Sequence, residues 1–309
     1  MAILGENRYG KAEVRVVHVD RSRNPHAVRD WNVSVSLAGD MREVHLSGAN
    51  DQVLPTDTQK NTVYAFAQRL GDVEPEVFAL TLARHFVERQ PGISRARVQL
   101  DSYGWNPIGP HSLVRAGGEV RTVTVVHDER SGSWVVGGLR ELTLLNTTDS
   151  EFWGFARDEY TTLAETTDRM LATSVEARWR FRPPDSDGCD WAAAYGKARQ
   201  ALLDAFTGTY SYSLQQSLYA MGCRVLAEVA EVCEVRLALP NKHHFLVDLS
   251  PFGLPNDNEV YYAADRPYGL IEGQVLADDA PDAGPAWSGG LRISPRRHAH
   301  FRPAPAIVA

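Results

Sequence analysis

The order of hydrophobic patterns in this chain repeats, and that repetition limits the folds open to it. Residues 11–21 (KAEVRVVHVDR) place Val14, Val16 and Val19 among charged or polar neighbours, an approximate strand pattern. Residues 29–39 alternate more cleanly, with Trp31, Val33, Val35 and Leu37 on one face. A third short run, REVHLSG, leads toward two helical stretches, 61–70 and 74–90; in the second, Ala79, Leu82, Ala83 and Phe86 recur at helical spacing. RARVQLDSYGW then precedes a hairpin pattern, EVRTVTVVHD and SWVVGGLRELTLLN about an ERSG turn. The second half follows the same order. A strand-like 174–181 is followed by helices near 190–206 and 214–232, with Leu218, Met221, Gly222 and Val225 in one stripe, and then by strands over 234–250 and 259–264. Strands, two helices and strands, given twice, predict an α+β protein with an antiparallel sheet and its helices on one face.

Residues from about 277 onward are rich in Pro, Gly and Ala without periodicity, which predicts a surface arm. The expected division is a first unit over 7–140, a second over 141–276 and an arm over 277–309. At 309 residues the chain is long enough for two ordinary domains with a sizeable core. Its net charge of −7, with no basic block, argues against nucleic acid, which requires a concentrated Lys/Arg face. No apolar run approaches the ~18 residues of a membrane span, and the N-terminus lacks the pattern of a signal peptide. Cys189, Cys223 and Cys233 are odd in number and lack C-x-x-C spacing, and they are expected to be buried small apolar residues in a reducing compartment. His243 and His244, as strand neighbours, point to opposite sides, so no metal site is expected. There is also no G-x-G-x-x-G, P-loop or G-x-S-x-G string.

One polar heptad, TDTQKNT at 56–62, stands directly before an apolar helical run. Thr56 or Asp57 is a ready N-cap, and capping is the expected role from the heptad alone. Four longer strings carry more. NRYGKAEVRV, TDTQKNTVY, FWGFARDEYTTLAETTDRMLATSVEARW and LPNKHHFLVDL, in this order and spacing, resemble the urate oxidase (uricase) family over about residues 7–272. The resemblance implies two tandem tunnelling-fold units per chain, with sheets closing into a β-barrel tunnel between subunits and a homotetramer with active sites at subunit interfaces. It also implies oxidation of urate by molecular oxygen and water to 5-hydroxyisourate and hydrogen peroxide, with no cofactor and no metal.

The resemblance also implies site residues. The motif lysine falls on Lys11, and the threonine and aspartate of the heptad fall on Thr56 and Asp57. FWGF places a stacking ring at Phe152, TTDR a clamping guanidinium at Arg169, and LPNKHHF supplies Asn241 and His243. SLQQSLY gives Leu214 for a main-chain contact and Gln215 for the purine edge; a slip to Gln216 is the alternative, and spacing to Tyr219 favours Gln215. The chemistry suits urate, a flat anion edged with carbonyl and N–H groups. A guanidinium offers a rigid fork of donors, an amide both donates and accepts, and an aromatic face fixes the ring plane. A neutral lysine accepts a proton, threonine relays it, and histidine shuttles it further. Taken alone, each residue has an ordinary reading: a solvated lysine, core aromatics, a surface ion-pairing arginine, a strand histidine and a turn asparagine. Two other classes compete. A cyclohydrolase or aldolase relative shares the architecture, and its zinc-dependent form would need paired Cys and His ligands. A non-catalytic purine-binding protein would have lost Lys11, Thr56 or His243, and all three are present. The closing AIVA differs from a Ser-Lys-Leu peroxisomal signal, so a bacterial cytoplasm is expected.

Overall fold

Alternation of buried and solvent-facing residues gives this chain long strands, and antiparallel pairing joins them into one sheet. The computed structural model describes residues 2–183, 188–264 and 266–288. In chain order the first elements are β1 (Tyr9–Asp20), β2 (Ala27–Gly39), α1 (Arg42–Leu46), α2 (Thr56–Leu70), α3 (Pro75–Arg89), β3 (Ile93–Tyr103), β4 (Trp105–Pro107), β5 (Leu113–Arg115) and β6 (Val120–Asp128). They are followed by β7 (Gly132–Asn146), β8 (Leu171–Phe181), α4 (Trp191–Gly208), α5 (Leu214–Glu228), β9 (Val232–Asn241), β10 (His244–Leu246), β11 (Tyr261–Ala263) and β12 (Gly269–Leu276). Eight of the strands form a single sheet in the order β1-β2-β3-β6-β7-β8-β9-β12, every neighbouring pair antiparallel. β1 and β12 are its two open edges. The chain is α+β, as its pattern predicts.

Three segments differ from expectation. REVHLSG does not join the strand series: Arg42–Leu46 closes one short helical turn, with Glu43 in its first turn and His45 in its last. The run at 259–264 gives only β11, which pairs with β10 in a separate two-stranded ladder. The strand that completes the main sheet is β12, GLIEGQVL, an edge strand in which only Val275 is buried.

All the long helices cover one face of the sheet. α2 packs on β1, α3 on β3 and β6, α5 on β9 and β12, and α4 against α5 and β7. One core cluster runs beneath them, from Trp31, Val33 and Leu37 through Val98 and Leu139 to Trp179 and Leu237. Arg121 fastens the two halves on this side: it pairs with the buried Glu76 and with Glu74 at the start of α3, donates to Trp191 O at 3.3 Å, and lies over the Tyr195 ring. The opposite face carries polar residues such as Arg97, Glu176, Arg178 and Arg236. Residues 277–288 pack there, where Arg180 bonds Glu234 at 2.8 Å and Pro281 O at 2.9 Å, and Trp287 Nε1 donates to Glu234 at 2.9 Å. The remainder of the expected arm, 289–309, lies outside the described residues. Cys233 is buried, while Cys189 and Cys223 are half-buried. Among the described residues no helix is long and apolar enough to cross a membrane.

Candidate functional site

Lys11 owes its orientation to a slip in the ladder. It pairs with Val35, and the next registered pair is Val14 with Val33, so β1 carries one extra residue against β2. Such a bulge reverses which face the following side chains take. Lys11 therefore shares the helix face with Val35, beside α2, while Val14 and Val16 stay in the core. Glu13 takes the left-handed conformation the bulge requires (φ 57°), and its N–H donates to Ser34 Oγ at 2.9 Å.

The heptad does not cap α2. The capping position is Pro55, and no side chain bonds the first turn. Asp57 instead binds Lys60 and Asn61 within the helix, with Asn61 Nδ2 at 3.0 Å. The bond from Lys60 and that residue's charge hold the Asp57 carboxyl below its ordinary value, with a smaller contribution from Lys11. Proline supplies no polar side chain, so the capping expectation fails and Thr56 Oγ1 is left exposed at the helix start.

The second group of site residues gathers where β8 begins and β9 ends. Phe152 forms a bridge with Thr166 across the 147–170 segment, which brings Arg169 back beside it; the Arg169 guanidinium lies 5.3 Å from the Phe152 ring centre. Phe155 stacks on Phe152 with 5.0 Å between centres. Arg169 Nε donates to the buried Ser150 Oγ at 3.2 Å, and Ser150 bridges Ser211, whose hydroxyl lies 2.9 Å from Ser217 Oγ. Half-buried, with no ion-pair partner among the described residues, the Arg169 guanidinium has its pKa lowered by burial alone. Desolvated positive charge left uncompensated favours an anion.

The Ser211 bridge also places the start of α5. Ser213 caps that helix, accepting from Gln216 N–H at 3.3 Å, and Gln216 Oε1 accepts from Tyr212 N–H at 2.8 Å. This is close to a reciprocal capping box, and it commits Gln216. Gln215 is left exposed, and the N–H groups of Leu214 and Gln215 lie in the turn a helix leaves without carbonyl partners. Asn241 pairs with Thr173 at the end of β9, and Lys242 N–H donates to Ala172 O at 2.8 Å. The following His243 ring stacks on Phe245, 5.7 Å between centres. Serines 150, 211 and 217, which hold this group together, carry no signal in the sequence.

The fold brings together Phe152, Arg169, Leu214, Gln215, Asn241 and His243, but it does not bring Lys11, Thr56 and Asp57 to them. β1 begins at the end of the sheet where β2 finishes and β3 starts, whereas β8 begins at the opposite end, paired with the last residues of β7. Five interstrand spacings of about 4.8 Å along the sheet separate β1 from β8 as well.

An aromatic face, a guanidinium with no ion-pair partner among the described residues and an open amide at one sheet end fit the class of receptors for flat anions, and Lys11, Thr56 and Asp57 stand at the other end. Comparison gives that class a family. The family model described as Uricase matches residues 7–126 and 135–272. The chain is 48% identical to a uricase from Arthrobacter globiformis over 290 residues, covering 93% of this chain and 94% of the relative. It is 36% identical to a uricase from Dictyostelium discoideum, covering 89% of this chain and 98% of the relative. The crystal structure of the Arthrobacter globiformis uricase superposes with a TM-score of 0.89 at 47% identity, covering 94% of this chain and all of that one (100%). The chain belongs to the uricase family.

Proposed function

We propose that this chain, a urate oxidase by family, converts urate, oxygen and water to 5-hydroxyisourate and hydrogen peroxide at sites completed by a second copy of itself. The observation that carries this reading is the uncompensated Arg169 guanidinium beside Phe152. It suits the anionic edge of urate, with Phe152 beneath the purine ring, Gln215 and a Leu214 main-chain group on the purine edge, and Asp57 at the border of the pocket. Lys11 and Thr56 remove the proton that turns the urate monoanion into an electron-rich dianion, and His243 shuttles protons onward. Two electrons pass from the dianion to oxygen, giving peroxide, and water adds at C5. Asn241 and Thr56 hold oxygen, peroxide or water above the ring. No metal or organic cofactor takes part.

The split between the two ends of the sheet supports assembly. A partner turned about a two-fold axis sets the first-half group of one chain against the second-half group of the other, giving two equivalent sites. The open edges β1 and β12 favour closure of two sheets into a barrel, since unpaired strand edges are otherwise exposed to misassembly. Two tandem tunnelling-fold units, 7–140 and 141–276, with an arm over 277–309, fit a ladder whose register slips between Leu139 and Leu142. Stacked pairs make the homotetramer, in a bacterial cytoplasm.

Two measurements test the reading. The purified protein, in chelator and without added cofactor, consumes urate and releases peroxide; no turnover, or turnover restored only by a metal, overturns it. Co-expression of Lys11→Met with Arg169→Ala, each strongly impaired alone at urate below the wild-type KM, restores roughly a quarter of the sites by two-fold symmetry. Zero recovery, with mixed oligomers confirmed by mass spectrometry, overturns the shared site.

A further inference from the structure

Leu54 lies two residues before Thr56, and side chains take both of its backbone polar groups. Its N–H donates to Tyr9 Oη at 2.9 Å, and its carbonyl accepts from Gln59 Nε2 at 3.2 Å. Tyr9 stands two residues before Lys11 on β1, and Gln59 three residues after Thr56 on α2. The two grips on Leu54 thus come from the two elements that carry Lys11 and Thr56. Pro55, with φ fixed near −53°, makes the link from Leu54 to Thr56 stiff. No side-chain cap fixes this helix start in any other way.

Gln59 occupies a place that packing alone would give to an apolar residue. It is fully buried and stands in one stripe with Val63, Phe66 and Ala67. Its Oε1 finds no partner among the described residues, an unfavourable position for a buried amide. The bond from Nε2 to Leu54 O is the only hydrogen bond described for that amide. Burial also raises the pKa of the Tyr9 phenol, outweighing the Leu54 N–H, so Tyr9 stays a neutral hydroxyl able to accept. A local rule broken in this way is expected at a functional or strained site.

We propose that Tyr9 and Gln59 are positioning residues that clamp Leu54 between β1 and α2 and so set the separation of the Lys11 amine from the Thr56 hydroxyl. Neither touches urate. The proposal rests on the reading of Lys11 and Thr56 as a proton relay. Displacing one partner of a relay by 1 Å costs up to ~10²-fold in rate, and loosening the clamp is a smaller displacement, about tenfold.

The test uses the full-length oligomer with Tyr9→Phe, which deletes one oxygen, and Gln59→Met, which keeps length and removes both polar atoms. Each lowers kcat about tenfold while the KM for urate and the Kd for xanthine stay within about twofold, because the ring-binding group is in the other half of the fold. The solvent deuterium isotope effect on kcat rises in both, as proton transfer becomes slower. Full kcat in the folded variants overturns the clamp, as does a loss that reflects only fewer xanthine-binding sites with kcat per site unchanged. If Gln59→Met fails to fold, Tyr9→Phe alone decides by the same readings. Lys11→Met separates the two readings: near-normal turnover in that variant sinks the relay, whereas an inactive Lys11→Met beside fully active Tyr9→Phe and Gln59→Met sinks the clamp alone.

Discussion

The two halves of the sheet carry the same irregularity at the same place and use it differently. β1 slips against β2 between Lys11 and Val14, with Glu13 at φ 57°. β7 slips against β8 between Leu139 and Leu142, with Glu141 at φ 66°. In each case one extra residue enters the first strand of a four-strand half of the sheet, β1 of β1-β2-β3-β6 and β7 of β7-β8-β9-β12. Each of these strands touches its half's first long helix, α2 or α4. The residue ahead of the slip is Lys11 in one half and Leu139 in the other. Lys11 is half-buried beside the uncapped start of α2, whereas Leu139 is fully buried in the core. The repeat supplies a backbone device, and, on the proposed reading of Lys11, one side chain decides whether it serves chemistry or packing. The helix starts diverge in the same sense. Asp190 caps α4 through Ala193 N–H at 3.0 Å and Ser213 caps α5, while α2 leaves Thr56 uncommitted.

The sharpest test makes the same substitution at both slips. Lys11→Met lowers kcat by about 10²–10⁴-fold, the usual contribution of a proton-transfer group, while xanthine still binds. Leu139→Met leaves kcat unchanged and costs under ~1.5 kcal/mol of stability, since it conserves volume in the core. Steady-state kinetics and denaturant unfolding of the pair check this. Equal kinetic effects at the two slips would break the comparison.

Next in size is the ring-binding group. Arg169→Ala raises the KM for urate and the Kd for xanthine together by about 10–100-fold, the equivalent of a charged hydrogen bond worth ~1.5–3 kcal/mol. A drop in kcat with KM unchanged would place Arg169 in the proton-transfer half instead.

These expectations were not equally visible in the sequence. The alternation in β2 and the 3.6-residue stripes of α3 and α5 were legible because each such face is buried against a single layer. β12 was not: Gly269, Gly273 and Glu272 interrupt its pattern, and an edge strand with one buried residue has little pattern to show. The slip after Lys11 was invisible because register belongs to the pair β1–β2 and not to either strand alone. The site residues came from whole strings, and their grouping at two sheet ends needed the topology. Tyr9 and Gln59 were missed, although Gln59 at i, i+4, i+7 with Val63 and Phe66 is a readable sign of a polar residue on a core stripe.

A smaller effect separates the helix starts. Ser213→Ala removes a cap and costs about 1 kcal/mol of stability. Thr56→Ala costs far less stability, because Thr56 caps nothing, yet it slows turnover, moderately if a water takes over the relay. Thermal unfolding beside kcat distinguishes the two, and a stability loss at Thr56 matching that at Ser213 would restore the capping role.

The smallest expected effect asks whether the two slips are one device. A non-glycine residue in the left-handed region is strained, a β-branched one most of all, and glycine is at ease there. Comparing Val with Gly at a single position cancels the loss of the glutamate's own contacts, including that of Glu141 with Arg140. Glu13→Val is therefore less stable than Glu13→Gly by about 1–2 kcal/mol, and Glu141→Val less stable than Glu141→Gly by a similar amount. Stability alone makes the two positions look alike. Activity does not: at position 13 the valine variant also loses kcat per folded molecule relative to the glycine variant, because strain next to Lys11 shifts the amine. At position 141 the two variants turn over equally, since Leu139 only packs. A kcat difference at both positions, or at neither, would mean that the slip does not aim Lys11.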